Sequence, residues 1–278
     1  LHPSRPTVVW APGGEVLAYN ESKGWEQPNV CHAAPIRALD AYVDAASPVT
    51  RWLSAGDDKM LMTWLEKDGA WELQEKLGHS KKITAAIFDR DGRIIFADRF
   101  GDVYRWVADG EPEMLSSHFA IVTALMLTPS GRFLVAGDNH EKVRISHYPQ
   151  AAVIRSICLG HSMQITALAS RICEGEEQVL SASADGTLRL WTLDGEARNS
   201  WSFDSPISTL CCEGSDTILG LEAPSLTRLQ GEKVTALLPE APQALRLRKD
   251  GGAIWVDRRG HLRLPKAEAW EEVSPGKD

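Results

Sequence analysis

One short word recurs along this chain at nearly constant intervals, and no other feature constrains its fold as strongly. Ile83-Thr84-Ala85-Ala86, Val122-Thr123-Ala124-Leu125 and Ile165-Thr166-Ala167-Leu168 align directly. Ile36-Arg37-Ala38-Leu39 precedes them and Ile207-Ser208-Thr209-Leu210 follows. The intervals are 47, 39, 43 and 42 residues, the length that a unit of four short strands and three tight turns occupies. A helix pair of similar length would show apolar residues every three to four positions. That period is absent, so no helix of consequence is expected.

Each unit repeats one internal grammar. A first alternating strand runs into a polar turn such as Asp91-Gly92-Arg93 or Pro129-Ser130-Gly131-Arg132. A second strand follows, as in Phe133-Leu134-Val135-Ala136 or Val179-Leu180-Ser181-Ala182. A turn such as Asp185-Gly186 comes next, where glycine accepts a positive φ. A third strand then closes on an aromatic, as in Thr187-Leu188-Arg189-Leu190-Trp191. Seven units are predicted, starting near residues 8, 36, 83, 122, 165, 207 and 244 and filling 1–278 as one all-β domain. Only 28 residues separate Val8 from Ile36, so the first unit is short of a full complement of strands. The last looks poor in strands after His261, and an N-terminal strand is expected to complete it. Closing the ring in this way removes an exposed sheet edge.

The unit from Gly160-His161 to Trp191-Thr192 resembles the WD40 repeat, which opens near Gly-His and ends near Trp-Asp. A seven-bladed WD40 β-propeller is therefore the expected fold. In that family a histidine, a serine of the second strand, an aspartate and the tryptophan form a buried hydrogen-bonded chain. Here these are His161, Ser183 (with Ser181 the alternative), Asp185 and Trp191. A buried carboxylate needs donors, and the imidazole and hydroxyl supply them. Asp58 and Trp64 share the six-residue spacing of Asp185 and Trp191. Six residues before Trp106 stands Phe100, so the aspartate is lost there, although Gly78-His79 heads the unit. In the unit from Val122 the aspartate position holds His140 and the tryptophan position Ser146. That blade is expected to be less pinned internally, which leaves its edge available for other work.

Composition narrows the function classes. Net charge is −8, and nucleic-acid binders usually carry a basic face that displaces counterions from phosphate. The one local exception is the cluster Arg246, Arg248, Lys249, Arg258, Arg259, Arg263 and Lys266, where Arg258 and Arg259 are candidates for a minor contact with a polyanion. The five cysteines Cys31, Cys158, Cys173, Cys211 and Cys212 include no Cys-x-x-Cys, so reduced thiols are expected and zinc is not. No apolar run approaches the ~18 residues of a membrane span, and no signal peptide is recognisable. Nucleophile elbows, zinc-protease helices, phosphate-cradling loops and dinucleotide fingerprints are all missing. No catalytic or metal-binding residue is assigned. The tetrads Trp64-Leu65-Glu66-Lys67, Trp106-Val107-Ala108-Asp109 and Trp191-Thr192-Leu193-Asp194 also lack the Trp-Asp-x-Arg of ubiquitin-ligase adaptors.

Two stretches go beyond generic repeat grammar. One is Asp138-Asn139-His140-Glu141-Lys142-Val143-Arg144-Ile145-Ser146, leading through Ile154–Leu159 into Gly160-His161. The other is Ser181-Ala182-Ser183-Ala184-Asp185-Gly186-Thr187-Leu188-Arg189-Leu190-Trp191. With Ala97-Asp98 and Gly101-Asp102-Val103-Tyr104, they resemble the WD-repeat subunit of the eukaryotic tRNA (guanine-N7)-methyltransferase. The resemblance covers about Ile94 to Trp191. It implies a non-catalytic, cofactor-free subunit. Such a subunit binds and stabilises a separate S-adenosylmethionine-dependent catalytic partner, as a heterodimer that methylates a guanine in the tRNA variable loop. It implies Lys142 and Arg144 as docking residues, with His140 beside them, tRNA held mainly by the partner, and a nuclear location. The alternative is a WD40 scaffold of another nuclear or cytoplasmic complex.

Overall fold

The computed structural model describes residues 7–10, 17–20, 24–26, 32–43, 49–67, 70–106, 110–213, 216–222, 225–230, 233–238, 244–247, 253–256, 262–266 and 269–273. Of residues 7–26 and 244–273 it describes the backbone strands alone. No helix occurs among the described residues. The strands form six sheets of four and one of three, each an antiparallel meander in chain order. The chain divides into two compact units, 1–125 and 126–275. The first holds the sheets at 7–26, 36–78 and 83–117. The second holds those at 165–202, 207–238 and 244–273, and most of the sheet at 122–158, whose first strand Val122–Leu127 spans the division.

The recurring word has a structural meaning. In four sheets the register shifts at it, between Ile36 and Ala38, Ile83 and Ala85, Ile165 and Ala167, and Ile207 and Thr209. Ile83, Ile165 and Ile207 are fully buried, and the residue after each is the extra one of a β-bulge. Its hydroxyl finds a carbonyl: Thr166 Oγ1 donates to Ile207 O at 2.6 Å and Ser208 Oγ to Gly220 O at 3.0 Å. A buried anchor followed by a bulged hydroxyl therefore starts the blades at Ile83, Ile165 and Ile207.

Burial decreases from the inner strands to the fourth. The second strands Ile94–Asp98 and Phe133–Asp138 are buried throughout. That is why they read as continuous apolar runs. Leu53, Leu61, Ile83, Phe88 and Phe96 fuse the sheets at 36–78 and 83–117. Phe133, Val135, Val143, Ile145, Cys158, Ile165, Val179 and Trp191 fuse those at 122–158 and 165–202. The fourth strands Ile154–Cys158 and Ala197–Ser202 are largely exposed.

The last sheet corrects one expectation. Residues 244–273 supply all four of its strands, and among the described residues no N-terminal strand joins it. Leu262–Lys266 and Ala269–Val273 pair from Leu262↔Val273 to Lys266↔Ala269, with Pro265 opposite Trp270. Strands of four to five residues with a two-residue connection fit a stretch that looks too short. The 7–26 segment forms its own three-stranded sheet, in keeping with its short spacing.

Candidate functional site

The blade at 165–202 carries a polar chain through its core. Trp191 Nε1 donates to Ser181 Oγ at 2.8 Å, His161 Nε2 lies 2.7 Å from the same oxygen, and His161 Nδ1 lies 3.1 Å from Asp185 Oδ2. An indole can only donate and a carboxylate can only accept. The protons must therefore run from Trp191 to Ser181 to His161 to Asp185. The serine is Ser181 and not Ser183. Trp191 pairs across the strands with Val179, so Ser181 lies two residues along, about 7 Å, and Ser183 four, about 13 Å. Ser183 instead caps the turn, accepting from Asp185 N and donating to Met163 O, each at 3.1 Å.

Burial alone would raise the Asp185 carboxyl. The Thr187 hydroxyl, the amides of Ser162 and Thr187 and the His161 ring bring it instead to about 2. Burial pushes the His161 imidazole below its ordinary value, against the pull of Asp185. Both shifts favour a neutral ring donating to an anionic carboxylate.

The blade at 36–78 contains the same chain. Trp64 Nε1 donates to Ser54 Oγ at 3.0 Å, His32 Nε2 lies 2.8 Å from that oxygen, and His32 Nδ1 lies 2.9 Å from Asp58. The sequence reading missed His32 because Cys31 replaces the usual glycine before it. A signal was present: His32, His79, His118 and His161 each stand four residues before a repeat word.

The blades at 83–117 and 122–158 depart together. Phe96 and Ala136 occupy the serine position, and the carboxylate moves two residues back, to Asp98 and Asp138 at the ends of second strands. His79 Nε2 reaches Asp98 at 3.3 Å, and its ring packs edge-on against Phe96. Asp98 Oδ1 accepts from Phe100 N at 2.8 Å and Asp102 N at 3.3 Å. Asp138 Oδ1 does the same for His140 N at 2.8 Å and Lys142 N at 3.0 Å. The buried Asp138 carboxylate thus ties the turn on which His140, Glu141 and Lys142 stand exposed.

That turn has a left-handed residue at Glu141, φ 65°, where the equivalent turns use Gly101 and Gly186. Beyond it, Val143 and Ile145 point into the core and Arg144 is half-buried on the opposite face. Burial pushes the Arg144 guanidinium below its usual value and the Asp138 carboxylate pushes it back up. The group stays charged at any pH the fold survives. Ser146, in the tryptophan position, is buried. His140, Lys142 and Arg144 thus share one turn and strand. Arg258 and Arg259 lie outside the described residues. Burial lifts the Cys158 thiol to about 12, and among the described residues no cluster of three or more potential ligands could hold a metal.

Comparison with known proteins adds the following. Residues 108–216 match the family described as tRNA methyltransferase TRM82 WD40 domain. Three curated relatives are named non-catalytic subunits of tRNA (guanine-N(7)-)-methyltransferase. The Dictyostelium discoideum wdr4 is 25% identical over 183 residues, 58% of this chain and 38% of the relative. The Xenopus laevis wdr4 is 32% identical over 154 residues, 53% and 38%. The Eremothecium gossypii TRM82 is 28% identical over 205 residues, 63% and 45%. This chain therefore spans less than half the length of these relatives. The crystal structure of the WD40 β-propeller domain of Doa1 superposes with a TM-score of 0.72 at 14% identity, covering 86% of this chain and 82% of that one. The fold is a WD40 β-propeller. The resemblance read between Ile94 and Trp191 holds, and the family match falls largely within it.

Proposed function

We propose that this chain is the non-catalytic subunit of a tRNA (guanine-N7)-methyltransferase, a single propeller that binds and stabilises a separate catalytic subunit. The partner carries S-adenosylmethionine and the reaction chemistry, and it modifies a guanine of the tRNA variable loop. This chain contributes no catalytic group and no cofactor. The pair works as a heterodimer in the nucleus. Most of the tRNA contact belongs to the partner, with Arg258 and Arg259 as a minor addition.

The observation that carries the reading is a coincidence of place. The family match spans the 122–158 blade, and that blade has lost its tryptophan and presents His140 and Lys142 on an exposed turn beside Arg144. Docking goes through these three residues onto carboxylates of the catalytic subunit. An acidic net charge suits a subunit that leaves phosphate contact to its partner, and attraction between oppositely charged surfaces speeds encounter.

Arg144→Glu tests it. Losing one member of a desolvated charge pair costs about 2–5 kcal/mol, a loss of roughly thirty- to several-thousand-fold in affinity. Isothermal titration of the purified variant against the catalytic subunit should show that loss while circular dichroism shows an intact fold. An unchanged Kd would overturn the assignment.

A further inference from the structure

Among the side chains described, the aromatic ones exposed to solvent are Phe100, at 59%, and Phe119, which is wholly open. Both belong to the first compact unit, 1–125. Phe100 stands on the turn between the second and third strands of the 83–117 blade, and Phe119 on the segment that follows the fourth. Arg99 N donates to Lys82 O at 3.0 Å, and His118 N donates to Gly101 O at 2.9 Å. A Cβ on Gly101 would lie 2.4 Å from Ala120 O, so the backbones that carry the two rings touch. Segments 79–82, 99–101 and 118–121 are thereby tied together at one end of the blade.

Open rings add nothing to the core, and the charges beside them are of one sign. The three segments carry Lys81, Lys82 and Arg99 and no carboxylate. Lys82 is held by Asp57 at 3.2 Å. Lys81 Nζ and Arg99 Cζ lie 5.1 and 5.7 Å from the Phe100 ring centre, and neither meets a carboxylate among the described residues. The acidic groups next along the chain are engaged within the blade. Buried Asp98 takes the amides of Phe100 and Asp102, and Asp102 accepts from the Tyr104 hydroxyl. Two cations without acidic partners therefore stand beside open rings on a chain of net charge −8.

We propose that this end of the 83–117 blade is a stacking site for single-stranded RNA. An unpaired base lies on Phe119, and neighbouring phosphates meet Lys81 and Arg99. A nucleotide supplies a planar face and an anion in one repeating unit, which is what rings set among cations take. A protein segment would use the rings as apolar surface alone, and an aliphatic side chain would serve it as well. With two cations engaged the contact is weak, which suits an acidic chain. The choice of RNA rests on the tRNA reading above, but the site uses none of the docking residues His140, Lys142 and Arg144.

Fluorescence anisotropy of the full chain with a labelled single-stranded RNA of about ten nucleotides tests it. Phe119→Leu keeps the apolar bulk and removes the ring. Its thermal midpoint should match the wild type, and its Kd for the RNA should weaken about 5- to 150-fold, the loss of one stacked base. Phe119→Trp should bind at least as tightly as the wild type. The slope of log Kd against log salt should be about 1.4, and Lys81→Gln should lower it by about 0.7. A duplex of the same sequence, whose base faces are covered, should bind more weakly. No binding by the wild type, or an equal Kd for wild type and Phe119→Leu, would overturn the proposal and leave partner docking untouched. If Phe119→Leu keeps the RNA but loses the catalytic subunit, the occupant is protein and the proposal is again overturned. If the RNA results hold while Arg144→Glu leaves the partner Kd unchanged, the docking reading falls and the stacking site stands.

Discussion

The blades at 165–202 and 122–158 are built on the same four-strand plan and share one apolar core, yet they spend their polar residues differently. In the first, Trp191, Ser181, His161 and Asp185 are bonded to one another inside the blade. In the second, Ser146 replaces the tryptophan, Ala136 the serine, and the carboxylate retreats to Asp138. There it fastens the amides of His140 and Lys142 in a turn. Internal satisfaction makes the first blade a strut. The second keeps a fixed turn and leaves its histidine and cations on the outside.

That contrast can be broken at graded points. The largest effect is expected at Ser181, whose hydroxyl serves two buried nitrogens. Ser181→Ala strands both, and at about 1–3 kcal/mol each the variant should lose about 2–4 kcal/mol in a urea titration. Ser183→Ala, which touches only the turn, should lose about 1 kcal/mol. The reverse order would place the wrong serine in the chain.

Asp138→Ala comes next. It removes the acceptor for the His140 and Lys142 amides, and about 1–3 kcal/mol of stability should go with it. Because the turn loosens, partner affinity should fall as well, whereas Ser181→Ala should leave affinity intact. Equal effects of the two variants on binding would erase the distinction between strut and docking blade.

Acid supplies a third handle. Burial lowers His161 from the ordinary histidine value of 6.5. The stability of its neutral form is therefore fully present above about pH 6.5 and is lost as pH falls through the lower folded value. Asp185, brought from 3.8 to about 2, contributes above pH 3.8 and is lost as pH falls toward about 2. The thermal midpoint should drop on acidification in both windows, and His161→Gln should flatten the upper one. A wild-type midpoint that rises between pH 7 and 5 would contradict the sign.

The smallest effect concerns Glu141. A non-glycine residue in the left-handed region is strained by about 1–2 kcal/mol, offset in part by the freedom glycine gains in the unfolded chain. Glu141→Gly should therefore stabilise by about 0.5 kcal/mol, measurable by calorimetry. The same change at Lys59, φ 68°, should act alike.

Much of this was legible from spacing. The repeat word marks buried anchors and bulges, both local features that a fixed sequence position specifies. The six-residue step from Asp185 to Trp191 is equally local. What escaped depends on reach across strands. Ser181 and Ser183 share a face, and only the pairing of Trp191 with Val179 tells them apart. His32 joins Asp58 across 26 residues with no glycine to flag it. The two-residue retreat to Asp98 and Asp138 reads as a lost aspartate until the turn amides are seen to converge on it.

Reconstituted methylation bears most directly on the central claim. The catalytic subunit, tRNA and labelled methyl donor are combined with this chain, with its Arg144→Glu variant, or with neither. The account predicts no transfer by this chain alone, robust guanine-N7 methylation when wild-type chain and catalytic subunit are together, and a fall to the catalytic subunit's own level with Arg144→Glu. Stimulation by the variant equal to that of the wild type would contradict it.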